Sequence, residues 1–193
     1  MKAFLIMVFL FGALQAGAQA WTKQYDFVDD CICGLAKVSK DGKFGYATKE
    51  GKLVVQLIYD EALSFSEGKA AVRKGDKWGY LDSTGKVAAE MTYEEAGSFH
   101  DGIACVKKNG RFGYINSNME VVIPYEFNMA RGFSEGMAPV SNSKGLWGYI
   151  NTKGKLVLPY QYNFADLFTE GKARVLKDGN FMMINKEGKE VKE

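Results

Sequence analysis

The chain has 193 residues, 25 Lys and Arg against 23 Asp and Glu, a net charge of +2 and 47% hydrophobic residues. That length is enough for one domain with a real core. The near-neutral balance offers no basic stripe, so no nucleic acid is expected as a partner.

The first 20 residues, MKAFLIMVFLFGALQAGAQA, place Lys2 before an apolar run from Ala3 to Leu14 and the small-residue signature Ala18-Gln19-Ala20. That is the layout of a secretory signal peptide, shorter than the usual membrane span, with an uncleaved N-terminal anchor as the alternative. Cleavage would leave Trp21 as the first mature residue, where a lipid anchor would need cysteine. No later run reaches the roughly 18 apolar residues of a spanning helix. The expectation is an exported protein, periplasmic or secreted, with no membrane span after cleavage and one repeat domain over residues 21–193.

Beyond the leader the chain repeats itself. Phe44-Gly45, Trp78-Gly79, Phe112-Gly113 and Trp147-Gly148 are 34, 34 and 35 residues apart, and Phe181 follows 34 later. The pattern Gly-x-Ala-x-Val recurs in phase at Gly34, Gly68, Gly102, Gly136 and Gly171, and a third register begins at Tyr59, Tyr93, Phe127 and Tyr162, each followed by Ala three residues on. A period in this range marks a solenoid, a propeller or an array. The units lie near 34–65, 68–99, 102–133, 136–168 and 171–193, with 21–33 as a partial N-terminal unit.

Within one unit, Ala70 and Val72 share a face, as do Trp78 and Tyr80, which is the period of a strand. A turn, RKGD, separates them. The turn before Trp147, SNSKG, is one residue longer and accounts for the single 35-residue spacing. LDSTGK and INTKGK then form a second turn, in which Asp or Asn bonds its own backbone and Gly supplies positive φ. Met119 takes that glycine slot in the third unit, so Asn118 is expected to carry the positive φ there. A weaker third strand follows, which Pro124 and Pro159 are expected to end.

Each unit therefore reads as a three-stranded meander whose apolar face is buried only by its neighbours. Phe44, Gly45, Trp78, Gly79, Phe112, Gly113, Trp147, Gly148 and Phe181 are assigned to this repeat core, with the glycines admitting the next unit. Met182-Met183 replaces Gly-Tyr in the last unit, as a terminal cap would.

The units resemble WG repeats, a bacterial family named for its Trp-Gly pair. The resemblance is carried by Phe65-Ser66-Glu67-Gly68, Lys77-Trp78-Gly79-Tyr80-Leu81-Asp82 and Tyr59-Asp60-Glu61-Ala62, and it covers essentially the whole chain beyond the leader. It implies a binding or interaction element with no common catalytic residues. The expected fold is all-β, an open, twisted, solenoid-like array of 34–35-residue β-meander repeats. The alternative is a closed five-bladed, propeller-like ring in which the N-terminal strand completes the last blade. Three strands per unit, where propeller blades use four, favour the open array.

Chemistry is sparse. Cys31, Cys33 and Cys105 suggest a local disulfide or one to Cys105, with Cys31 in the buried slot of Phe65, Phe99 and Phe133. His100, the sole histidine, stands where Ser66, Ser134 and Thr169 stand, beside a turn, with no nucleophile and orienter about it. Glu67, Asp101, Glu135 and Glu170 share one phase. Equivalent environments do not make an acid and base pair, so they read as turn caps. No cofactor or metal motif is present, and no enzyme is expected; an enzyme of unknown type is the distant alternative and would need a polar cleft that breaks the repeat.

Lys43, Lys77 and Arg111 precede the aromatics of three consecutive units and are the binding candidates, a short basic strip. Two functions follow: an exported interaction module for a protein or cell-surface partner, or a binder of glycan or peptidoglycan. The second requires several of Tyr46, Trp78, Tyr80, Phe112, Tyr114, Trp147 and Tyr149 to be exposed together.

Overall fold

The computed structural model of the chain describes residues 20–192. The signal peptide reading falls on residues 1–19 apart from its last residue and lies outside them. A short 3-10 turn, Trp21–Gln24, leads into five four-stranded antiparallel sheets.

The first sheet comprises β1 (Phe27–Ile32), β2 (Leu35–Lys40), β3 (Lys43–Thr48) and β4 (Leu53–Tyr59), and the second β5 (Glu61–Ala62), β6 (Lys69–Lys74), β7 (Lys77–Asp82) and β8 (Val87–Tyr93). The third comprises β9 (Glu95–Ala96), β10 (Ile103–Lys108), β11 (Arg111–Asn116) and β12 (Val121–Phe127), and the fourth β13 (Met129–Ala130), β14 (Met137–Ser141), β15 (Trp147–Asn151) and β16 (Leu156–Tyr162). The fifth holds β17 (Phe164–Ala165), β18 (Lys172–Lys177), β19 (Asn180–Asn185) and β20 (Glu190–Val191). In every sheet the strands lie side by side in chain order.

A unit thus has four strands where the sequence pattern suggests three. The additional strand is the Tyr-x-x-Ala register: Glu61 and Ala62 pair with Arg73 and Val72 of β6, and two residues are too few to display an alternation. Pro124 and Pro159 do not end their strands either. Each sits inside a seven-residue edge strand at a bulge, where Phe112 and Tyr114 pair with Phe127 and Ile123, so a missing N–H costs no ladder bond.

Four hydrophobic cores serve five sheets, and each core lies between consecutive sheets. Tyr46, Val55 and Tyr59 of the first sheet meet Ala70, Val72 and Leu81 of the second, Tyr80 and Tyr93 meet Ala104, Val106 and Ile115, and the pattern continues to the fifth. Among the described residues each of these cores joins consecutive sheets and none joins the first sheet to the fifth. The result is an open all-β array, and β1 completes the first sheet through β2 instead of closing a ring.

The glycine after each aromatic has a different neighbour from the expected one. A Cβ at Gly79 would lie 2.5 Å from the Ala89 carbonyl oxygen, at Gly148 2.6 Å from that of Leu158, and at Gly113 2.8 Å from that of Ile123. The glycine makes room for the bulged fourth strand of its own sheet, not for the next unit. In the fifth sheet β20 is two residues long and pairs only with Met183 and Ile184, so among the described residues no main chain crosses residue 182 and methionine is accepted.

Stacking is also read in the second turn. A Cβ on Gly85 would meet the Val55 side chain at 2.7 Å, on Gly154 the Ile123 side chain at 3.3 Å, and on Gly188 the Leu158 side chain at 3.1 Å. The second sheet carries Ala88 and Ala89 at that level, and here the following turn has Met119, which itself adopts φ 66° while Asn118 does not. Met119, Ala88 and Ala89 pack against one core. A larger turn residue faces a smaller strand residue, which offsets the strain. Among the described residues no sheet precedes the first turn, and Trp21 takes that place: its ring lies against Gly51 and its Nε1 donates to the Lys49 carbonyl at 3.1 Å.

Candidate interaction surface

The residue at the centre of each interface is the tyrosine two positions after the aromatic. Tyr46, Tyr80, Tyr114 and Tyr149 are fully buried. Each hydroxyl donates to a carbonyl 17 residues on, at the start of the next sheet: Leu63 at 2.6 Å, Gly97 at 2.8 Å, Arg131 at 2.9 Å and Asp166 at 2.7 Å. Burial pushes all four phenol pKa values well above the usual range. Phe65, Phe99, Phe133 and Phe168 meet these rings at 4.8, 5.2, 5.0 and 4.9 Å between centroids. The Gly-Tyr spacing carries the signal for this role in the sequence, although the Trp-Gly pair draws attention first.

Of the aromatics assigned to the repeat core, Phe112 is buried, Phe44, Trp78 and Trp147 are half-buried at the rims of their interfaces, and Phe181 is 61% exposed. Among the described residues no sheet lies over Phe181, and Arg174 lies over its ring at 5.1 Å. Gly45, Gly79, Gly113 and Gly148 are all buried. Among the seven aromatics that a glycan platform would need, five are buried and only Trp78 and Trp147 are half-exposed.

The recurrent acidic residues cap turns across the units. Glu67 accepts from the Gly102 N–H at 2.9 Å, Asp101 from Gly136 at 3.0 Å and Glu135 from Gly171 at 3.1 Å. All three residues and Glu170 have φ between 49° and 56°. Ser66 and Ser134 add hydroxyl bonds to the Phe99 and Phe168 carbonyls, each at 2.6 Å. A hydrogen bond from Lys186 holds the Glu135 carboxyl below the usual carboxylate range, with the Gly171 N–H assisting. His100 is exposed at its turn, and its main chain pairs with Ile103.

Lys43, Lys77 and Arg111 each open the third strand of their sheet. Lys43 forms an ion pair with Asp60 at 2.5 Å, Arg111 donates to Asn128 Oδ1, and Lys77 is half-buried. Lys43 and Arg111 thus reach the residue just before the next sheet. Asp60 also accepts from the Gly75 N–H at 2.7 Å, and together the Lys43 bond and this one lower its pKa.

The three cysteines are free. Cys105 is buried between the third and fourth sheets, and burial pushes its thiol up to about 12. Cys31 and Cys33 are exposed on the first sheet, which rules out the bridge to Cys105 and corrects the buried assignment of Cys31. The Phe65 slot is covered only where a preceding sheet exists. Cys33 takes the left-handed position of the acidic residues, with φ 54°. Among the described residues no group of three His, Cys, Asp or Glu side chains converges, and no helix is long and apolar enough to cross a membrane.

Two notches lie between the third and fourth sheets. One, of about 190 Å3, is lined by Ala96, Gly97, Cys105, Phe112, Ala130 and Gly132 among others. The other, of about 400 Å3, is more polar, with Arg111, Glu126, Asn142, Ser143 and Tyr160, and borders the one-residue insertion.

The pattern of the WG containing repeat matches the chain at residues 44–78, 78–112, 112–144 and 147–181. No curated protein matches it in sequence. Among solved structures, Hsv2 of Kluyveromyces lactis is similar at a TM-score of 0.53 and 12% identity, covering 82% of this chain and 59% of that one. A eukaryotic initiation factor is similar at 0.55 and 8%, covering 86% and 53%, and the WD40 beta propeller domain of Doa1 at 0.47 and 11%, covering 87% and 68%. The chain therefore spans 59% of the length of Hsv2, and at these identities the likeness concerns the fold alone.

Proposed function

We infer that this chain, which belongs to the WG containing repeat family, is a non-catalytic protein-interaction module that acts outside the cytoplasm. The observation that carries the reading is the use the repeat makes of its polar groups. Glu67, Asp101 and Glu135 hold the glycine N–H of the next unit, and the four tyrosine hydroxyls hold main-chain carbonyls. Side chains spent in this way build a scaffold, and what differs between units is surface. Stacked repeats with variable surface residues suit recognition of a protein or cell-surface partner over an extended area. Export rests on the leader and would deliver a product beginning at Trp21.

The experiment is affinity capture with residues 21–193 from an envelope extract of the source cells, followed by calorimetry of the purified chain with each captured protein. The expected result is saturable 1:1 binding to a defined protein. Saturable binding to a glycan with no protein ligand, or turnover of any substrate, would overturn the reading. N-terminal sequencing of the exported product checks the location, with Trp21 as the expected first residue.

A further inference from the structure

One column of the repeat is broken. At the position after each short first strand the second sheet carries Leu63, the fourth Arg131 and the fifth Asp166, whereas the third carries Gly97. Leu63 packs against the core between the second and third sheets. With no side chain at Gly97, the notch of about 190 Å3 opens at the equivalent place between the third and fourth sheets.

Ala96, Ala130, Cys105 and Phe112 supply the apolar part of its lining. The charges beside it cancel: Glu95, which also lines it, pairs with Lys107 at 2.9 Å, and Lys107 rests over the Phe112 ring at 5.1 Å. Arg131 also lines the notch, and its guanidinium lies over the rings of Trp147 and Phe164 at 5.7 and 5.2 Å and 4.0 Å from the Asp166 carboxylate. Such a site selects an uncharged, apolar group. An apolar cavity of about 150 Å3 holds benzene, so a leucine or phenylalanine side chain fits.

The main chain around the notch points to a peptide. Ala96 and Ala130 lie on β9 and β13, the first strands of their sheets, each paired on one side only. Edge strands present unpaired N–H and C=O groups that an extended segment can engage and a free hydrocarbon cannot. We propose that this notch is the anchor point at which the module, on the interaction reading above, takes an extended segment of a partner protein by one neutral side chain of leucine or phenylalanine size.

The test is NMR titration of the 15N-labelled chain with N-acetyl-phenylalanine amide, N-acetyl-aspartic acid amide and toluene, on wild type, Gly97→Leu and Gly97→Ala. A Cβ at Gly97 meets only the Cys105 carbonyl oxygen, at an ordinary 3.5 Å, and leucine is what the second sheet carries there, so both variants keep the fold, which the same spectra verify. The expected result is saturable shifts of the Gly97, Cys105 and Gly132 amides with the phenylalanine probe, weakened about tenfold or more in Gly97→Leu, less in Gly97→Ala, and absent with the aspartic acid probe. No shift at those amides, equal shifts in Gly97→Leu, or toluene binding as tightly as the amide would each overturn the anchor. The titration needs no natural partner. Its failure therefore removes the notch and leaves the interaction reading to its own experiment, and failure of that experiment leaves the titration intact.

Discussion

At Gly79 a single added methyl group should unfold more of this protein than its size suggests. A Cβ there would stand 2.5 Å from the Ala89 carbonyl oxygen and 2.9 Å from the Glu90 carbonyl carbon, and both belong to the main chain of β8. Pairing of Trp78 with Tyr93 and of Tyr80 with Ala89 holds that stretch in place, so relief requires β8 to move away from β7. Forcing extra atoms into packed structure costs about 1–3 kcal/mol, and the upper end applies because the atoms that must give are backbone. With a urea dependence of about 2 kcal/mol per molar, a loss of about 3 kcal/mol lowers the midpoint by about 1.5 M. The assay is urea unfolding of residues 21–193 followed by circular dichroism. Gly97→Ala is the control for the added methyl, since its Cβ has ordinary contacts, and its midpoint should hold or rise. A Gly79→Ala midpoint within about 0.3 M of wild type, a shift of under 1 kcal/mol, would refute the account of the Trp-Gly pair.

Thiol titration of the native chain should find Cys31 and Cys33 reactive and Cys105 silent until denaturant is added; prompt reaction of all three would place Cys105 outside the core. Tyr80→Phe removes the hydroxyl bond to the Gly97 carbonyl and should cost about 1–2 kcal/mol in thermal or urea unfolding; an unchanged midpoint would remove the tyrosine from its central role. Glu67→Ala should speed hydrogen exchange at the Gly102 amide, its partner at 2.9 Å, while leaving Gly136 as protected as before. The Asp60 and Glu135 carboxyls are lowered in the folded state, chiefly by Lys43 and Lys186. A lowered folded pKa contributes stability that is complete above the unfolded value and lost as pH falls through the folded one, so the loss begins below about pH 4. Stability measured from pH 6 to pH 2 should fall less steeply in Glu135→Gln than in wild type, and identical acid limbs would contradict the assignment.

Much of the architecture is legible in the residues. Three registers in one phase mark the repeat, and the alternation of Ala70 with Val72 and of Trp78 with Tyr80 marks two strands of each unit. The fourth strand is not legible, because Glu61 and Ala62 are too short to alternate and their pairing with β6 is non-local. The role of Gly79 is hidden for a related reason: a bulge in β8 places carbonyls over it, and nothing in the local sequence announces the bulge. Met119 shows a third limit. Its left-handed φ is compensated by small side chains at Ala88 and Ala89 roughly one unit earlier, a relation visible only once the stacking is known. For the surface, Lys43, Lys77 and Arg111 are apparent as a strip, yet two of them are tied to Asp60 and Asn128. The notch at Gly97 appears in the sequence only as a missing leucine.

The open array is tested most directly by native-state hydrogen exchange across the sheets, comparing the amides that follow Phe44, Trp78, Phe112, Trp147 and Phe181. In a chain of sheets that contact only their neighbours, stability is the sum of units and interfaces, and the ends have one interface where the middle has two. The account predicts the strongest protection in β11, less in β7 and β15, and least in β3 and β19. Equal protection in all five sheets, lost in one global opening, would mean a closed ring and contradict it.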